Sequence, residues 1–218
     1  MDTHHTTRRL LLASLLPGMW LAGCASAPPV AEKFVDVPPG TVFEYHRKSS
    51  GSYGQYDDRV VWKNRDTVWQ GQPVIFSESP QAGIQVYERQ SKGMVATLTG
   101  QEKPLLSYAP PISYHWPMKV GDQWTTEHQI TVHATGKVMA LKVHYSIESY
   151  QPVTVPAGTF NTYKVVMTDS SGEVQQVWVA PADSVNTVMR ILDRPATHPQ
   201  GAGHLEGVLM SRKLPPKQ

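Results

Sequence analysis

The feature that most constrains this chain is the period of its apolar residues, which is two along most of its length. In TVFEYHRK, residues 41–48, Val42, Glu44 and His46 alternate with Phe43, Tyr45 and Arg47. Such alternation sends successive side chains to opposite faces, as a half-buried strand requires. Runs of the same kind follow: DDRVVWKN, QPVIFSES, IQVYERQ and MVATLTG, then QWTTEHQITVH, VMALKVHYSIESY, NTYKVVMT, EVQQVWVA, SVNTVMRIL and HLEGVLMSR. Breaks containing Gly, Ser or Pro separate them. Past residue 23 no window of a dozen residues carries an apolar stripe at helical spacing. The expectation is an all-β fold of antiparallel meanders.

The breaks divide the chain. Residues 41–99 read as an N-terminal meander and 118–218 as a C-terminal one. Between them, residues 100–117 contain four prolines and no clear period, and are expected to form a connection. A weak internal repeat accompanies this division. VPPGTVFEYH (37–46) is similar to MKVGDQWTTEH (118–128), WQGQPVIFSES (69–79) to VPAGTFNTYKVVMTDS (155–170), and GIQVYERQ (83–90) to EVQQVWVAP (173–181). The arrangement expected from it is two degenerate four-strand repeats forming a curved sheet or a sandwich.

The first forty residues are of another kind. Arg8 and Arg9 precede a short apolar stretch, Leu10 to Leu21, and the small pair Ala22-Gly23. This is the layout of a secretory signal. The apolar stretch falls short of the roughly 20 residues that span a bilayer core, and Pro17-Gly18 interrupts it. Leu21-Ala22-Gly23-Cys24 resembles the lipobox of bacterial lipoproteins. The resemblance implies removal of residues 1–23, diacylation of the Cys24 thiol and, in most Gram-negative bacteria, a third acyl chain on the freed amine. Two or three such chains make a stable anchor. Ala25 stands where an Asp would favour the inner membrane, so the outer membrane is expected. Residues 24–40, rich in Ala and Pro, read as a tether between lipid and domain. Cys24 is the chain's single cysteine, so no internal disulfide can form.

The second half carries a further resemblance. Lys119-Val120-Gly121-Asp122-Gln123-Trp124, Val153-Thr154-Val155-Pro156-Ala157-Gly158-Thr159-Phe160 with Tyr163-Lys164-Val165 after it, and Trp178-Val179-Ala180-Pro181 resemble a family of exported bacterial β-proteins and lipoproteins without an assigned activity. The likeness covers about residues 117–192. It departs from the family after Pro181, where ADSVNTVMRIL replaces the usual Gly-containing turn. The residues themselves explain the middle motif as architecture. Pro156 cannot donate a ladder hydrogen bond and ends a strand, while Gly158 supplies a turn conformation. TDSSGE (168–173) reads as a hairpin turn. Trp124 and Trp178 read as core or sheet-face aromatics.

Catalytic spacing is hard to find. There is no Gly-x-Ser-x-Gly, no His-Glu-x-x-His and no phosphate-cradling loop. Asp57 and Asp58 are adjacent, so a strand would turn them to opposite faces. One constellation bears on metal chemistry: Glu127, His128 and His144. A two-residue hairpin tip at Thr135-Gly136 would set Glu127 opposite His144, and a loop one residue longer would set His128 there instead. Two or three such ligands do not close a tetrahedral site, and no cofactor is expected.

These features point to a lipid-anchored outer-membrane lipoprotein that faces the periplasm as a non-catalytic binding or interaction module. Its partners would be the membrane, through the anchor, and an envelope protein. A carrier of a hydrophobic small molecule or lipid is one alternative, and a metal-assisted enzyme another. Nucleic acid is excluded as a partner by charge. The formal net charge is +2, or +1 without residues 1–23, and Lys and Arg are not clustered. Cys24→Ser should abolish incorporation of labelled palmitate and leave the precursor uncleaved. A wild-type chain that takes up no palmitate would contradict the lipobox reading.

Overall fold

The computed structural model describes residues 27–216. The expected signal sequence and Cys24 therefore lie outside the described residues. Twelve strands follow one another: β1 (Val42–Gly51), β2 (Tyr56–Trp69), β3 (Gln72–Ser79), β4 (Gly83–Glu88), β5 (Met94–Leu98), β6 (Pro104–Ile112), β7 (Gln123–Val132), β8 (Lys137–Val155), β9 (Gly158–Asp169), β10 (Val174–Ala180), β11 (Val185–Arg194) and β12 (Gly203–Lys213). Each pairs antiparallel with its neighbour in sequence, and β1 pairs with β12 to close the ring.

Closure corrects the expected architecture. The chain is all-β and antiparallel, but it is a closed twelve-stranded barrel rather than a curved sheet or a sandwich of two four-strand repeats. The seam runs from Val42↔Lys213 to Gly51↔Gly203 with one irregularity at Glu44/Tyr45. Neither first nor last strand is left with a free edge, the feature that templates unwanted pairing. The three similar segment pairs of the sequence fall on β1 and β7, β3 and β9, and β4 and β10. Their spacing is a constant six strands, half the ring.

The proline-rich stretch holds a strand that its period conceals. β6 pairs with β5 at Ser107 and Leu106, then loses register until Ile112 meets Met94. On its other side the ladder to β7 stops at Ala109↔Gln129. Pro110 and Pro111 sit inside that gap, where no backbone N–H is needed.

Packing is two-sided along parts of the wall. β3 to β5 present Val74, Phe76, Ile84, Val86, Ala96 and Leu98 to one another as a buried cluster, while Ile75, Ser77, Gln85 and Tyr87 of the same strands face the barrel's cavity. The Pro156-Ala157 hairpin tip, with Gly158 at φ +131°, reaches back to β12, where the Ala157 N–H donates to the Leu209 carbonyl at 3.4 Å. Val155 and Phe160 are thereby buried with Trp178, Val188 and Leu209. The motif is a clasp between non-neighbouring strands. After β10 a single 3-10 turn, Pro181–Asp183, ends at Ser184 in the left-handed region (φ 58°) and starts β11.

Residues 27–41 do not hang free. Ala31 and Met118 exchange hydrogen bonds of 3.0 and 2.8 Å, Val35 N–H donates to the Pro181 carbonyl at 3.1 Å, and the Tyr163 hydroxyl donates to Pro29 at 2.7 Å. Ser184 donates to the Asp36 carbonyl and Lys92 pairs with the Asp36 carboxylate at 2.7 Å. Lys92 lies between β4 and β5, Met118 between β6 and β7, and Pro181 between β10 and β11. The segment is a strap across one end of the ring.

Leu209 has no accessible surface and packs beside the seam. Leu209→Ala should lower stability by about 2–5 kcal/mol, whereas Leu214→Ala, at an exposed position, should change it by less than ~0.5 kcal/mol. Chemical denaturation of both variants measures the difference.

Candidate binding cavity

A barrel of about eight strands is just filled by its own side chains, and wider rings leave space. This ring of twelve encloses a cavity of about 350 Å³. Strand alternation decides what lines it. β1 contributes Phe43, Tyr45 and Arg47, β2 Val60, Trp62 and Asn64, β8 Leu141, Val143 and Tyr145, and β10 Gln175 and Val177. Tyr114 and Trp116, from the loop following β6, and Phe34 and Val37 of the strap close one end. Phe34 leans on Trp116 with ring centroids 6.3 Å apart.

The aromatic wall is ordered by stacking. Trp124 lies between His115 and Tyr145, at 4.5 and 4.8 Å between centroids and within 17° and 6° of parallel. The tyrosine hydroxyls are partly committed: Tyr45 donates to the Thr187 carbonyl at 2.9 Å and Tyr87 to Gln85 at 2.7 Å. Burial is the main cause that raises the phenols of Tyr45, Tyr87, Tyr114 and Tyr145 above their usual range, Tyr87 and Tyr145 to about 12. All four stay neutral at physiological pH.

Most charges of the cavity are matched. Arg47 holds Asp58 through two bonds of 3.0 and 2.7 Å, which lowers the Asp58 carboxyl below its usual range. Glu173 and Arg194 pair at 2.6 Å with both side chains largely buried, and Tyr53 lies under the Arg194 guanidinium at 3.9 Å. Asp169 accepts the Ser171 and Glu173 amides of its own turn. Arg190 differs. It stands mid-strand on β11, lines the cavity, and makes no ion pair among the described residues.

The three residues considered as metal ligands are not brought together. The β7–β8 loop is four residues long, with the Thr135 and Gly136 amides both turned onto the Val132 carbonyl. Val132 therefore faces Lys137, and the register places Glu127 opposite Lys142 and His144 opposite Thr125. This corrects both pairings expected from the sequence, because the hairpin closes before either candidate tip. Glu127 and His144 are exposed, and His144 Nδ1 lies 3.2 Å from the Thr125 hydroxyl. His128 points to the other face and is buried. Its Nδ1 donates to the Pro110 carbonyl at 2.9 Å, which leaves Nε2 to accept the Tyr145 hydroxyl at 3.3 Å. Both ring nitrogens of His128 are thus occupied. Among the described residues no group of three or more His, Cys, Asp or Glu is placed to hold a metal ion.

Asp57 and Asp58 do point to opposite faces of β2, Asp57 meeting His46 outside and Asp58 meeting Arg47 within. Sequence reasoning passed over Arg190. The signal was there: Arg190 shares its strand face with Val188 and Leu192, both buried.

No family model matches this chain, and no curated protein matches it either. Among solved structures the chain is similar to a protein of Bacteroides fragilis described as exported with a YmcC-like fold, at a TM-score of 0.48 and 12% identity over 84% of this chain and 100% of that one. It is similar to a protein of Parabacteroides distasonis described as a lipoprotein, at 0.44 and 12% over 84% and 99%. It is also similar to the hypothetical lipoprotein YmcC of Escherichia coli, at 0.41 and 12% over 82% and 86%.

The buried phenols fix the sign of a pH effect. Below pH ~10 tyrosine is neutral in the folded and unfolded chain alike. Above it the unfolded chain ionises while Tyr87 and Tyr145 resist to about 12, so stability falls as pH rises through that window. Tyrosinate absorbance should rise cooperatively there, in step with the loss of near-ultraviolet circular dichroism. A gradual rise with tertiary structure intact would contradict the burial of these side chains.

Proposed function

We propose that this chain is a lipid-anchored outer-membrane lipoprotein, facing the periplasm, whose barrel carries a small apolar or amphipathic molecule and catalyses no reaction. The observation that carries this reading is the cavity of about 350 Å³, within the range of small-molecule sites and walled chiefly by aromatic and aliphatic side chains. It favours the carrier over a docking module. Of the exposed large apolar side chains, Tyr56 and Val68 stand at opposite ends of β2, Leu105 on β6, and Val138 and Met139 at successive, oppositely facing positions of β8, whereas the cavity gathers its apolar groups on one surface.

The outer wall supports a body that meets water. Arg59 pairs with Glu44 at 2.7 Å, His46 with Asp57 at 2.6 Å and Lys164 with Glu148 at 2.8 Å, all on outward positions of mid-strand residues. A membrane-spanning barrel carries an apolar band there. The anchor also sets the geometry. Pro29, where the strap is first held, is five positions after Cys24, so the anchoring residue would lie within about 18 Å of that point. The strapped end of the cavity is then the end next to the bilayer.

The strap suits a gate. Phe34 and Val37 pack over the cavity, and a molecule entering beneath them would alter that packing.

The test is saturable binding of a neutral apolar fluorophore, N-phenyl-1-naphthylamine, read through energy transfer from Trp62 and Trp116. One site per chain is expected, with affinity reduced about tenfold or more in Ser77→Phe, which fills the cavity from β3. Absence of saturable binding would contradict the carrier reading.

A further inference from the structure

We infer that the molecule held in this barrel is an acid with an apolar tail, its anionic head bound by Arg190 together with the hydroxyl of Tyr114. The inference rests on the carrier reading and names the ligand's chemical class.

The placement of Arg190 comes from the barrel's register. Across the inner wall one row reads Val177, Arg190, Gly207, Arg47 and Asp58, each residue paired directly with the next. Gly207 makes room for the arginine. A Cβ built there would lie 3.2 Å from both Cγ and Nε of Arg190, so the side chain rests against the β12 backbone and extends along the wall. On the far side of Gly207, Arg47 is neutralised by Asp58. Arg190 has no such partner.

The other charges near the cavity are already engaged. Lys92 pairs with Asp36, Glu173 with Arg194, and Asp169 with the amides of its turn. The titratable groups that weigh most on Arg190 are Tyr45, Tyr87, Arg47 and Tyr53, none of them a carboxylate. Arg190 nevertheless keeps some accessible surface, and that surface faces the cavity it lines.

A guanidinium withdrawn from bulk water without a counter-charge is costly. It keeps its proton all the same, and its planar fork matches a carboxylate or phosphate. Tyr114 lines the same cavity as Arg190, and burial keeps its hydroxyl protonated. Tyr45 and Tyr87 already donate to protein acceptors, which leaves Tyr114 to donate to the head. Val60, Ile75, Val143 and Met167 line the remaining wall and suit a hydrocarbon tail.

The experiment uses the full chain carrying Cys24→Ser, so that no acyl chain of its own competes. Dodecanoate, dodecyl phosphate and dodecanol share one tail and differ at the head. Wild type should bind at least one of the two anions at least tenfold more tightly than the alcohol, and the tighter anion identifies the head group. Arg190→Gln should erase that preference, lowering affinity for the anion at least tenfold more than affinity for dodecanol. Arg190→Lys should keep part of it, and Tyr114→Phe should weaken the anions more than the alcohol. Equal affinity of wild type for acid and alcohol would overturn the inference and leave the carrier reading standing, as would a preference that survives in Arg190→Gln. Failure of all three probes to bind would overturn both. The wild-type comparison needs no substitution, so it decides even where a variant does not fold.

Discussion

Everything in this molecule depends on the pairing of its first strand with its last. β1 and β12 come from opposite ends of the sequence, and their ladder converts a twelve-strand meander into a ring. Without it, two long edges would be left open, and the residues that line the cavity from β1 and β12 would face solvent. With it, every strand has two neighbours and the inner faces look at one another. The seam is reinforced from outside its own ladder: the Val155 to Phe160 hairpin reaches across to β12 and buries Leu209 with Phe43 and Val188.

Closure also explains why the barrel is hollow. Twelve strands enclose more space than their side chains fill, and part of the wall turns its bulk away from the centre, as Val74, Phe76 and Leu98 do. The remaining volume is bounded by tyrosines, aliphatic side chains and Arg190. The strap that shuts one end is the segment that follows Leu21-Ala22-Gly23-Cys24 in sequence. In the proposed function, anchor, gate and cavity are therefore consecutive along the chain, and the mouth of the barrel opens toward the membrane that holds it.

The sequence made individual strands legible because alternation is a local property. QPVIFSES coincides with β3, and EVQQVWVA contains β10. Closure was not legible, since nothing local in β1 names a partner some 160 residues away. β6 was hidden because Pro110 and Pro111 break the alternation while fitting a gap in the ladder. The expected Glu127–His144 pairing failed by two residues of register, set by a four-residue loop in place of a two-residue tip. The cavity could not be seen at all, because it is a consequence of strand number and closure together. Arg190 was visible as a charged residue on an apolar strand face, yet its meaning depends on where the other charges of the barrel find their partners.

Closure is tested most directly by amide hydrogen exchange. If the ring is closed, the amides of β1 and β12 will exchange as slowly as those of β9 and β10, which are interior to any open arrangement of the same meander. Fast exchange at every second amide of β1 and β12, the pattern of an unpaired edge, would contradict the barrel and the cavity with it.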